Sequence, residues 1–156
     1  MLTGLLSYLE GTQIVAALRT SPPTYAVVSA LHIVGLGTLI GSIMTLDLRV
    51  LGIWKQRAWR EAVPVVSPIA AAGLTVAIAT GVLLFAIRPF HYLNNTPFLA
   101  KLTLVVVGLL NAAVFHYRLR RAAGTGPDGF SRGGAAISFA TWTAAIFAGR
   151  FIAFIE

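Results

Sequence analysis

The chain has 156 residues, 57% of them hydrophobic and 11% charged, with a mean hydropathy of +0.82. That composition excludes an ordinary water-soluble domain and predicts one all-α integral membrane domain over residues 1–156. The net charge of +7 sits in short basic clusters beside apolar stretches, as loop anchors facing anionic lipid do, so the partner it implies is a lipid bilayer and not nucleic acid.

Residues 1–20 are Leu-rich (Leu5, Leu6, Leu9) but interrupted by Glu10, Thr12 and Gln13. The pattern predicts an N-terminal amphipathic helix at the membrane interface. A secretory signal would need a basic leading segment and an unbroken apolar run. Four spans follow, at 24–50, 65–87, 97–118 and 135–155, each able to cross ~30 Å of hydrocarbon at about 1.5 Å per residue. The result is a four-helix bundle. Ser21-Pro22-Pro23 and Asn94-Asn95-Thr96-Pro97 supply N-cap and early-helix proline signals. Pro68 falls in the first turn of the second span, and the run Gly124 to Gly129 is a loop.

Orientation follows from loop lysines and arginines. The first connection carries Arg49, Lys55, Arg57 and Arg60, and the third carries Arg118, Arg120, Arg121 and Arg132, whereas the opposite side has only Arg19 and Arg88. Both termini are therefore expected on the periplasmic side of a bacterial inner membrane.

The chain has no cysteine, which removes disulfides, iron–sulfur clusters, thiolate zinc sites and covalently attached c-type haem. Histidine remains as the main nitrogen ligand, at His32, His91 and His116. Counted from the outer end of each span, His32 lies about eight residues deep, Lys101 about four and Arg150 about six, which places all three in one outer layer. His91 and Arg88 sit in the loop above. Imidazole gathered with cations suits an anionic cofactor that wants nitrogen ligands, and haem b fits: iron takes His32 and His91, and propionates take Lys101 and Arg150. Gly35, one turn from His32, would let a porphyrin lie against the backbone, and Gly73, Ala77 and Gly81 form a small-residue stripe. The plainer alternatives are an imidazole bonded to a neighbouring helix, cations that snorkel to headgroups, and glycines that serve helix packing.

A second polar layer lies near the cytoplasmic side, formed by Asp47, Arg49, Asn111 and His116. Asp47 is expected to pair with an arginine or with His116. His32 and His116 differ in depth by ~16 Å and cannot serve one iron. His116 with Met44 would mark a second, inner metal site.

The stretches Leu31-His32, Asp47-Leu48-Arg49-Val50-Leu51-Gly52, Ala79-Thr80-Gly81-Val82-Leu83-Leu84-Phe85, Phe98-Leu99-Ala100-Lys101-Leu102, Leu110-Asn111-Ala112-Ala113-Val114-Phe115-His116 and Ala148-Gly149-Arg150 together cover nearly the whole chain. In these the chain resembles an uncharacterised family of small bacterial four-helix membrane proteins. More remotely, Leu31-His32, Thr80-Gly81 and the Lys101-Leu102 to Phe115-His116 pattern look like HemJ-type protoporphyrinogen oxidases and the CopD copper-resistance membrane domain. The oxidase resemblance implies His32 as haem ligand and Lys101 as a functional partner. The chain departs from it in its N-terminal extension and in Asp47, where the oxidase pattern suggests proline.

These readings converge on a b-type cytochrome that passes electrons between a membrane carrier, such as quinone, and a periplasmic redox protein. Two alternatives use the same residues: a copper or small-solute transport protein, and a haem-dependent membrane oxidoreductase acting on quinone or porphyrinogen. Self-association into a homo-oligomer is left open.

Overall fold

The computed structural model describes residues 11–53, 59–121 and 129–154. Among the described residues the chain is helical throughout: α1 (Gln13–Thr20), α2 (Pro22–Leu51), α3 (Trp59–Ile87), α4 (Pro89–Leu93), α5 (Thr96–Arg121) and α6 (Gly129–Phe151). Three stretches are long and apolar enough to cross a membrane, namely Pro22–Leu51, Glu61–Ile87 and Thr96–Arg121.

Helix ends follow local chemistry. Ser21 caps α2 by accepting from the Thr24 amide, and prolines occupy the first positions, where their missing N–H costs nothing. Asn95 does the same for α5, its Oδ1 accepting from the Phe98 amide at 3.0 Å. Its amide group also donates to the Ile152 carbonyl, so one buried residue ties the start of α5 to the end of α6. Gly52 ends α2 in the left-handed region at φ 83°, a conformation that a side chain would resist.

Two boundaries differ from expectation. The second span was expected from Val65 with Pro68 in its first turn, but α3 begins at Trp59 and runs through both Pro64 and Pro68. These prolines lie one turn apart on the exposed side of the helix, where the lost backbone bonds leave the packed face intact. The last span was expected at 135–155, but α6 ends at Phe151 in a turn closed by the Phe154 amide on the Phe151 carbonyl.

The end of the bundle carrying Ser21, Ile87 and Asn95 is called the Asn95 end below, and the end carrying Arg49 and Arg121 the arginine end. α2 packs closely along α3 and also against α6, and α6 packs against α5. Among the described residues α3 and α5 share no extended packing and meet at the Phe85–Phe98 ring stack near the Asn95 end, so the four long helices form a horseshoe in the order α3, α2, α6, α5. α2 and α3 cross at two glycines: a side-chain carbon at Gly73 would meet the Leu39 backbone nitrogen at 2.6 Å, and one at Gly35 would meet that of Ala77 at 2.8 Å. No other residue allows backbones so close.

The surface is inverted relative to a water-soluble protein. Ile33, Val34, Val65, Leu110 and Phe147 are each at least 60% exposed, while Asp47, Thr80, Ser138 and Thr141 are buried. Apolar side chains facing out and polar ones facing in is the pattern a bilayer demands. At the arginine end the bundle closes on Val50, Val63 and Ala135, backed by Leu46, Leu51, Phe115 and Leu119.

At the other end α1 buries Val15 and Leu18 and leaves Ile14 exposed, and its described part packs on α2 and α3. Arg19 donates to the Ile87 carbonyl, placing a cation on the C-terminal pole of α3, which has no basic residue in its own last turn. Residues 1–10, which make up half of the expected interfacial helix, lie outside the described residues. α4 is fixed by buried Pro89 and by an aromatic cluster in which Tyr92 and Phe85 each meet Phe98, with ring centroids 5.3 and 5.5 Å apart.

Candidate functional site

Two separate polar constellations lie inside the bundle. The first is built on His32 of α2. Its Nδ1 is 3.0 Å from the Thr80 hydroxyl of α3, and the ring also hydrogen-bonds the Ala77 carbonyl. The Thr80 hydroxyl proton is spent on the Val76 carbonyl at 2.6 Å. The Thr80 oxygen is therefore placed to accept from Nδ1–H, the tautomer in which Nε2 carries the lone pair. Gly81 makes room for this seat, since a side-chain carbon there would lie 3.1 Å from His32 Cε1.

Lys101 of α5 is the cation whose field reaches His32. Its stem crosses α6 at Gly149, where an added side-chain carbon would touch Cδ at 3.5 Å and Nζ at 3.8 Å. Gly81 and Gly149 thus serve as seats for the two polar side chains, a role that sequence spacing does not announce.

The other expected members of this site are placed differently. The space beside Gly35 is filled by the backbone of α3 at Gly73 and Ala77, which corrects its assignment as a porphyrin-facing glycine: backbone packing uses the gap. Arg150 was expected well inside the last span, but α6 ends one residue after it. Its guanidinium is exposed and sits 4.8 Å from the Phe154 ring. His91 lies on α4, exposed, with its ring edge against Tyr92. His32 and Lys101 are brought together inside the bundle, while His91 and Arg150 lie at its Asn95-end surface.

The second constellation surrounds a cavity of about 190 Å³ in the arginine-end half, walled by all four long helices. Asp47, Ser67, Asn111, His116, Ser138 and Trp142 contribute its polar groups. Ser138 hydrogen-bonds the Asp47 carboxylate, where an arginine or His116 had been expected. Asn111 donates to the Gly134 carbonyl at 3.1 Å, joining α5 to α6. Asp47 Oδ2, Ser67 Oγ and Trp142 Nε1 are buried without a hydrogen-bond partner among the described residues. The Trp142 indole lies on Gly108, where a side-chain carbon would come within 2.8 Å of the ring. Met44 does not line this cavity although His116 does.

Of these residues Ser67, Ser138 and Trp142 were not singled out from sequence. A signal existed on α6, where Ser138, Thr141 and Trp142 recur at helical spacing on one face.

Compared with models of known protein families, with curated proteins and with solved structures, the chain matches none. The functional reading therefore rests on the geometry alone. Among the described residues there is no group of three or more His, Cys, Asp or Glu side chains able to hold a metal ion.

Proposed function

We propose that the protein is a membrane haem b protein that transfers electrons, with His32 as the residue that would supply a nitrogen ligand to the iron. One observation supports this reading: a half-buried imidazole on an apolar helix, held through Nδ1 by the Thr80 hydroxyl. Ligating histidines are commonly held in this way, the second nitrogen being bonded to an oxygen that sets ring angle and tautomer. The donor set favours haem over copper. A copper centre needs several protein ligands at one point, whereas porphyrin supplies four of the iron's ligands itself and asks the chain for one or two.

Lys101, within electrostatic reach of His32, would pair with a propionate. His91 and Arg150, at the headgroup level of the same end, would complete the axial and propionate sets from the surface. Haem would supply a one-electron couple; the chain holds the ligand nitrogen, places a compensating cation and keeps water out.

In this reading α6 is the fourth span, its Ile137, Ile146 and Phe147 facing lipid. The arginine end would face the cytoplasm of a bacterial inner membrane, with both termini periplasmic.

The test is a reduced-minus-oxidised absorption spectrum of detergent-purified protein after haem supplementation. A b-type spectrum is expected, lost in His32→Ala, kept in His116→Ala and shifted in potential by Thr80→Val. Absence of any haem band, or its survival in His32→Ala, overturns the proposal.

A further inference from the structure

The cavity beneath Trp142 has three properties that together restrict what enters it. The first is its set of unmet hydrogen-bonding groups. Asp47, only 8% exposed, presents an acceptor in Oδ2, Trp142, only 2% exposed, presents a donor in Nε1, and the Ser67 hydroxyl can do either. A bare cation satisfies Asp47 but cannot accept from the indole. An anion satisfies the indole but offers no donor to the Asp47 oxygen. The complementary occupant is neutral and carries both a donor and an acceptor.

The second property is access. Toward the arginine end the cavity is sealed by Val50, Val63 and Ala135 with Phe115 and Leu119, and the closest approach of α2 and α3 lies on its other side at Gly35 and Gly73. The remaining side lies between α3 and α5, which meet at the Phe85–Phe98 stack nearer the Asn95 end and share no extended packing among the described residues. There Ala71 both lines the cavity and is exposed. The opening therefore faces the bilayer, and an occupant comes from lipid and not from water.

The third property is size. A cavity of about 150 Å³ accommodates a benzene ring, and this one measures about 190 Å³, enough for a single six-membered ring with small substituents.

We propose that the cavity binds the ring of a lipid-soluble quinol, which enters between α3 and α5, donates a hydroxyl to Asp47 and accepts from Trp142. Its hydrocarbon tail then lies in the gap between those helices. This would supply the membrane carrier of the haem reading, but it rests on a different set of residues and stands without haem.

The test uses the whole 156-residue chain in lipid nanodiscs with Trp54→Phe and Trp59→Phe, so that Trp142 is the sole tryptophan and is excited selectively, titrated with duroquinol and with duroquinone. Running it also on a His32→Ala background separates failure of this site from failure of the haem site. Saturable quenching of Trp142 is expected. Quinol affinity should drop about tenfold in Asp47→Ala, the loss expected for one buried hydrogen bond. Ala112→Phe, which fills the cavity, should abolish saturation. If that variant does not fold, Ser67→Ala, which removes a single hydroxyl, should weaken binding severalfold. Quenching that rises linearly and equally in all variants would mean collision from the bilayer and would overturn the site. So would a dimer that buries the α3–α5 gap and excludes quinol.

Discussion

The two halves of this bundle use the same helices in opposite ways. At mid-bundle, α2 and α3 touch backbone to backbone at Gly35 and Gly73, and on the Asn95 side of that crossing the polar pair His32 and Thr80 is joined. Toward the arginine end the helices part around a cavity, and three buried polar atoms from α2, α3 and α6 have no hydrogen-bond partner among the described residues. An unpaired polar group in an apolar interior costs about 1–3 kcal/mol, so three around one space mark a place kept for something other than stability. Close contact organises one half, and a cavity lined by polar groups organises the other.

The sharpest way to break this comparison is to add one carbon in each half. Gly73→Ala puts it 2.6 Å from the Leu39 backbone nitrogen, which cannot move without shifting a whole helix. Overpacking of this kind costs about 3 kcal/mol or more. The expected outcome is the largest fall in melting temperature among these variants, by circular dichroism in detergent, together with loss of any haem spectrum. A fall no greater than that of Gly37→Ala, whose site has nothing within 4 Å, would show that the crossing does not hold the fold.

Gly108→Ala is the counterpart. The added carbon meets the Trp142 ring at 2.8 Å, but Trp142 borders the cavity and has space into which to retreat. A cost of about 1–2 kcal/mol is expected, below that of Gly73→Ala, with a changed Trp142 emission maximum and weakened quinol quenching. Equal melting temperatures for the two variants would erase the distinction between the halves.

This comparison also explains what the sequence could and could not convey. Long apolar runs and the capping signals at Ser21 and Asn95 are local properties, and three spans and both caps follow from them. Contact between helices is not local. Gly35, Gly37 and Gly41 look equivalent in sequence, yet only Gly35 faces another helix closely, while the other two have open space beside them. Threonines hide their roles for a similar reason. Thr45, Thr75 and Thr103 each bond the carbonyl one turn back, and so does Thr80, although Thr80 alone of these also receives His32. A hydroxyl that can satisfy itself within its own helix gives no outward sign of a tertiary partner. Arg150 lies nearer the helix end than the sequence suggests because no proline or glycine follows Phe151, and without one the apolar run Phe151 to Ile155 reads as more helix.

The smallest effect concerns the surface of the Asn95 end, where the well-packed half meets the headgroups. Burial raises the Tyr92 phenol above its ordinary pKa of about 10, Tyr25 adds to the rise, and the Arg88 cation opposes it. A phenol that holds its proton more tightly when folded contributes stability that is fully present below the unfolded pKa and is lost as pH rises through the folded one. Melting temperature should therefore fall more steeply above pH ~10 in the wild type than in Tyr92→Phe, which has no proton to lose. Arg88→Gln removes the opposing charge and should move the Tyr92 titration, followed by ring-carbon NMR, still higher. A titration unchanged or lowered by Arg88→Gln would mean that α4 does not hold Tyr92 against Phe85 and Phe98 beside that cation, and that the packed half ends below the headgroup layer.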